Sequence, residues 1–296
     1  FRALVNYAQD GSYSWHCPGH SGGVAFLKSP VGQMFHQFFG ENMLRADVCN
    51  AVDEIGQLLD HTGPVAASEL NAARIFNADH SYFVTNGTST SNKIIWHATV
   101  APGDIVVVDR NCHKSVLHAI IMTGATPVFL MPTRNNLGII GPIPLEEFHP
   151  ENIQKKIDQN PIANCRQGSK ENSGKDPKIL TITQSTYDGI LYNVEIIKDV
   201  LNGHIDTLHF DEAWVPHAAF HDFYKNMHAI GENRPRANDT IIFSTQSIHK
   251  LLAGISQASQ ILVQDSKTKR FDHNIFNEAY LMHSSTSPQY SIIASL

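Results

Sequence analysis

The sequence has few of the features that mark several large protein classes. Only four of its 296 residues are cysteine (Cys17, Cys49, Cys112 and Cys165), and no Cys-x-x-Cys pair occurs. So few cysteines in so long a chain do not make a disulfide framework, and a reducing, cytoplasmic setting is expected. No uninterrupted apolar run approaches the roughly 20 residues that a spanning helix needs, which excludes a helical transmembrane protein. Basic residues are not in excess: 22 Lys and Arg stand against 28 Asp and Glu, a net charge of −6. That balance leaves no electrostatic footprint for nucleic acid or an anionic membrane. The Gly-x-Gly-x-x-Gly and Walker-type loops are missing. So is His-Glu-x-x-His, although 17 histidines are present, so no metal site is expected. Phe1 is not preceded by Met and opens no signal-peptide pattern, and residues 291–296 form an apolar stretch without a helix-stop signal. The chain therefore reads as a piece of a longer protein.

What is present suffices for a large core, since 42% of the residues are hydrophobic. Residues 1–62 hold a Gly/Pro/His-rich stretch and the aromatic segment 34–39, and are expected to form a lead-in that packs on a neighbour. Over 63–296 the pattern changes. Short β-branched or aromatic runs at 82–85, 105–109, 127–131, 178–183, 206–210, 240–244 and 260–264 alternate with helical patterns at 66–77, 89–101, 113–123, 151–158 and 193–202. Continuous apolar strands between amphipathic helices predict an α/β domain with a mostly parallel seven-stranded sheet, helices covering both faces. The polar stretch 160–177 reads as a surface loop.

In open α/β sheets ligands sit beyond the carboxyl ends of the strands. Five strands here are followed by polar or ionisable groups: Thr85–Thr90, Asp109–Lys114, Ser185–Gly189, Asp211–Trp214 and Thr245–Lys250. That rim is the expected site, and three of its elements carry chemistry. The turn Asn86-Gly87 leads into a helix opening with Thr88, Ser89, Thr90 and Ser91, whose free N–H groups and hydroxyls suit a phosphate. Thr88 or Ser89 as a simple helix cap is the alternative. Asp211 ends a buried strand, where a carboxylate needs a cationic or proton-sharing partner. That partner is either a structural ion pair or a cofactor's ring nitrogen. Lys250 follows Ser247-Ile248-His249 and precedes apolar residues, and burial there lowers a lysine's pKa and makes it nucleophilic toward carbonyls. A snorkelling lysine is the alternative, with Lys93 and Lys114 as competitors for the role. A phosphate cradle, a strand-end Asp and, 39 residues later, a buried Lys together describe a pyridoxal 5′-phosphate (PLP) site. His113, beside a rim Asp, is placed to cover the face of such a ring.

These motifs, with Cys17-Pro18-Gly19-His20-Ser21-Gly22-Gly23 and Met282-His283-Ser284-Ser285-Thr286-Ser287-Pro288, resemble the bacterial fold-type-I ornithine/lysine/arginine decarboxylases over essentially the whole chain. The resemblance implies an aminotransferase-like large domain at 63–296, with the family's N-terminal wing and C-terminal domain absent. It implies that Lys250 is the Schiff-base lysine, Asp211 the partner of the pyridine nitrogen, and His113 the residue stacked on the ring. It further implies that Thr88, Ser89, Ser247 and His249 contact or flank the phosphate and that Trp214 lines the pocket. Homodimers with the site at the subunit boundary, assembled in some members into decamers, come with the family. The expected activity is α-decarboxylation of a basic amino acid. The alternatives are an aminotransferase using the same Lys and Asp, or a regulatory homologue with a decayed site. Glu212 is a weak candidate for a charge partner of Asp211.

Overall fold

Alternation of side chains along each β-branched run decides which layer it feeds. In a computed structural model, which describes residues 1–50, 52–167, 177–231 and 239–296, seven strands form one sheet. They are β1 (His80–Val84), β2 (Ile105–Asp109), β3 (Thr126–Leu130), β4 (Ile179–Thr183), β5 (Thr207–Asp211), β6 (Ile241–Gln246) and β7 (Ser259–Gln264). Their order is β1-β7-β6-β5-β4-β2-β3. From β3 to β6 every pairing is parallel, while β7 is antiparallel to both β6 and β1.

The helices, in chain order, begin with α1 (Arg2–Gln9), α2 (Pro30–Phe39), α3 (Glu41–Arg45), α4 (Gly63–Ile75), α5 (Thr88–Thr99) and α6 (Lys114–Thr123). Then come α7 (Pro150–Gln159), α8 (Pro161–Gln167), α9 (Val194–Leu201), α10 (Ile248–Leu251), α11 (His273–His283) and α12 (Tyr290–Ala294). Val106 and Val108 face one apolar layer with Ile94, Ile95 and Trp96 of α5, Val116 of α6 and Phe276 of α11. Ile105 and Val107 face the other, with Ile153 of α7, Ala163 of α8 and Ile197 of α9. The period of two along a strand thus fills both faces.

The lead-in is not uniform. Val48, Val52, Ile55, Leu58 and Leu59 enter the first apolar layer, whereas Val31, Met34 and Phe38 of α2 stay exposed.

One expectation is corrected. The stretch 160–177 is not all loop, because 161–167 forms α8; residues 168–176 lie outside the described ones. The Asn160 side chain accepts the N–H groups of Ile162 and Ala163, Pro161 sits where a helix tolerates it, and Ala163 is fully buried. Among the described side chains of α8, Ala163 alone is buried, which leaves no periodic signal to read.

Candidate active site

Six strands end on one rim, and the antiparallel β7 begins there, so the loop before it reaches the same place. A cleft of about 820 Å³ opens at this rim. Its walls bring together all eight residues expected from the sequence: Thr88, Ser89, His113, Asp211, Trp214, Ser247, His249 and Lys250. Lys114 also lines it and Lys93 does not.

At one end the chain leaves β1 and turns at Gly87 (φ 74°, ψ 167°), a left-handed backbone that a side chain would strain. Gly87 is itself the cap residue of α5, and no side chain caps the helix. The first N–H groups of α5 therefore keep their donor capacity at the cleft. Thr88 turns inward: its Oγ1 lies 2.6 Å from Ser247 Oγ and 3.1 Å from Ser259 Oγ, and Ser91 Oγ is 2.8 Å from Ser259. These buried hydroxyls knit α5 to β7 and to the entry of α10, leaving Ser89 as the half-turn's outward hydroxyl. His249 Nδ1 is 2.8 Å from the Ala258 carbonyl, to which it donates, so Nε2 is the ring nitrogen left over.

At the other end, Asp211 is buried at the tip of β5. Asn92 Nδ2 donates to its Oδ2 (2.9 Å) and Ala213 N–H to its Oδ1 (3.2 Å), but no cation pairs with it among the described residues. Burial raises its pKa, with the Asn92 and Ala213 hydrogen bonds, His113 and Lys250 opposing. Glu212 does not partner it. That carboxylate points the other way, accepting from Ala229 N–H, Ser244 and Gln246.

Lys250 is half-buried, with its Nζ 4.4 Å from the centre of the Trp214 ring. Burial lowers its pKa, and the charge of Asp211 opposes that shift, so the two groups feel each other across the cleft. Trp214 in turn meets Tyr187 edge-on at 5.5 Å. His113 caps α6 through its ring, Nδ1 accepting the Ser115 N–H, and burial holds its pKa below the ordinary histidine value. Cys112 beside it is inert, its thiol pushed up to about 12 by burial and by Asp109 and Asp211.

Four wall residues lie outside the rim stretches read from the sequence, one of them Thr183 at the end of β4. Ser256 and Gln257 arrive through the reversed β7, and Asn92 reaches Asp211 from one turn inside α5. Only an Asn one turn inside a helix, ahead of the apolar Ile94, Ile95 and Trp96, hinted at the last. No cluster of three or more His, Cys, Asp or Glu suited to a metal occurs among the described residues, and no described helix is long and apolar enough to cross a membrane.

This sheet order with a rim cleft defines an α/β domain of aminotransferase-like fold. Serine palmitoyltransferase of Sphingomonas wittichii shares that fold at 13% identity over 80% of this chain and 50% of its own (TM-score 0.56). Sequence comparison narrows the class: the family described as Orn/Lys/Arg decarboxylase, major domain, matches residues 1–296, and the chain belongs to that family. Among its relatives, lysine decarboxylase LdcA of Pseudomonas aeruginosa is 56% identical over 100% of this chain and 38% of its own length. The biodegradative arginine decarboxylase of Escherichia coli is 44% identical over 100% and 38%. The inducible ornithine decarboxylase of the same organism is 41% identical over 100% and 40%. The solved lysine decarboxylase A from Pseudomonas aeruginosa superposes with a TM-score of 0.90 over 99% of this chain and 38% of that one. The chain thus spans about two fifths of the length of these relatives.

Proposed function

We propose that this chain is the cofactor-binding unit of a PLP-dependent enzyme that removes the α-carboxylate of a basic amino acid. One observation carries the reading: Lys250 and Asp211 line the same cleft, each shifting the other's titration, and the buried Asp211 has no protein cation among the described residues. A buried carboxylate in that state fits a protonated heterocycle as its partner. The donor set beside it fits the rest of the cofactor, with an anion-accepting helix end at Ser89 and a partly desolvated amine at Lys250.

When bound, PLP supplies an aldehyde and an electron-accepting ring, the chemistry that loss of carbon dioxide requires. The protein's own groups then have separate tasks. Lys250 is the amine that holds the cofactor and yields to the substrate's amine. Asp211 keeps a proton on the ring nitrogen. Ser89 and the first turn of α5 hold the phosphate, with Thr88, Ser247 and His249 around them. His113 covers one ring face, and Trp214 supports Lys250 from the side. Orientation and fixed charge are the main catalytic contributions.

The 56% identity to the Pseudomonas lysine enzyme makes lysine the first substrate to assay, with arginine beside it, since the lysine and arginine enzymes of Escherichia coli match equally well (45% and 44%). The exposed apolar side chains of α2 support assembly as a homodimer, with decamers built from it as a further step. Four free thiols, two of them exposed, support a cytoplasmic setting.

The test uses the full-length enzyme. The wild type should be yellow and release carbon dioxide, not a keto acid, from lysine, arginine or ornithine. Lys250→Ala should lose the absorbance band of covalently held cofactor, and an unchanged band in that variant would refute the assignment.

A further inference from the structure

Asn92 stands at the centre of a hydrogen-bond network that no part of the reading above has used. It is fully buried, and its amide is fully occupied. Nδ2 donates to Asp211 Oδ2 (2.9 Å) and to Ser115 Oγ (3.0 Å), while Oδ1 accepts from Thr245 Oγ1 (2.9 Å). An amide whose nitrogen faces two acceptors and whose oxygen faces a donor has one orientation only. The consequence continues outward. His113 Nδ1 accepts the Ser115 N–H (3.2 Å), so the Ser115 hydroxyl, which accepts from Asn92, also turns its own proton to Nδ1 (2.8 Å). Nδ1 of His113 is therefore an acceptor, and the ring proton sits on Nε2.

We propose that Asn92 is the positioning residue of this site: its amide favours the ionised form of Asp211 and, by orienting the Ser115 hydroxyl, adds to the hold that the Ser115 N–H has on His113. The proposal rests on the role assigned to Asp211 above and deepens it. Both groups are then set by α5, the helix whose first turn faces the phosphate end of the cleft. The charged or titratable groups facing Asp211 are Cys112 in the loop before α6, His113 capping α6, and Lys250 on α10. The neighbouring Glu212 is turned away onto Ala229, Ser244 and Gln246. Only Asn92 and the Ala213 N–H donate to the carboxylate among the described residues. Removing a donor from a carboxylate destabilises its charged form most, so its pKa rises, here by about one unit for one hydrogen bond to a charged group.

The experiment measures the PLP affinity of full-length apoenzyme against pH by absorbance titration. Wild-type affinity should weaken on the acid side as Asp211 takes up its proton. In Asn92→Ala that acid limb should move to higher pH by about one unit. Asn92→Leu keeps the side chain's size while removing the donor and adding no charge. It should move the limb as far as Asn92→Ala does, and it decides the question if Asn92→Ala does not fold. Ser115→Ala removes the hydroxyl that joins Asn92 to His113 but keeps the Asn92–Asp211 hydrogen bond, and should leave the limb in its wild-type place. An acid limb that stays put in the Asn92 variants, with affinity weaker by the same factor at every pH, would assign Asn92 to packing and overturn the proposal. Asp211→Asn tests the underlying reading separately, because it should abolish the limb. A wild-type profile in that variant would bring down the role of Asp211 and the proposal with it.

Discussion

At the scale of single residues, the cleft separates groups that look alike in the sequence. Cys112 and His113 are neighbours on its wall, yet only one is suited to chemistry. With its thiol pushed up to about 12, Cys112 has only about one part in ten thousand as thiolate near pH 8. Native full-length protein treated with iodoacetamide at that pH should leave Cys112 unmodified, while denatured protein is alkylated there; mass spectrometry of the digests reads this directly. Rapid labelling in the native state would show that the cleft activates the thiol. Lys250, Asp211 and His113 were legible from the chain because each stands at or just beyond the end of a strand, and the strand-end rule holds whatever the pairing partners are. Asn92 was not legible, since its partners lie 23, 119 and 153 residues away and no local pattern encodes such separations.

Among elements, α5 carries the most function, and while Ile94, Ile95 and Trp96 pack in the apolar layer, its first turns grip the sheet through polar groups. Thr88 and Ser91 on its inner face share Ser259 at the start of β7, and Thr88 also meets Ser247 before α10. All four side chains are buried, so a missing hydroxyl leaves its partners unsatisfied. Ser259→Ala should cost about 1–3 kcal/mol of stability, seen as a lower melting temperature, and should also weaken PLP binding because the helix end loses its anchor. A lower melting temperature with unchanged affinity would separate the anchor from the site. The apolar runs showed all seven strands and the five main helices of the alternation. They did not show that β7 runs backwards, because a strand buried on both faces reads the same in either direction. That reversal is why Ser256 and Gln257 were missed on the cleft wall. The short α8 was hidden because Ala163 alone is buried among its described side chains, so it shows no periodicity.

Across the whole molecule, the two rims of the sheet divide the work. The carboxyl rim holds a carboxylate without a protein cation, while at the opposite rim Asp206, just before β5, binds Lys178 at the entry to β4 (2.8 Å) and Arg270 beyond the end of β7 (3.2 Å). Burial alone would raise the pKa of Asp206, but the Lys178 and Arg270 contacts outweigh it and hold the carboxyl below its ordinary value. A carboxyl with a lowered folded-state pKa contributes stability above its unfolded value of about 3.9 and loses it as pH falls through the folded value. Asp109 and Asp211 act in the opposite sense, because burial raises their pKa and the folded state then holds their protons more tightly as pH falls. Acid therefore weakens one rim while relieving the other, and total stability alone hides the effect. The difference between wild type and Asp206→Asn isolates it. Near pH 7 the variant should be less stable by about 1–2 kcal/mol, a modest value because Lys178 and Arg270 stay partly hydrated. As the pH falls below the unfolded value of about 3.9 and through the lower folded value, the difference should shrink toward zero, since the wild-type carboxyl is then itself becoming neutral. Melting temperatures of the two full-length proteins across that fall in pH measure this, and a gap that persists unchanged in acid would mean that Asp206 acts through packing and not through its charge.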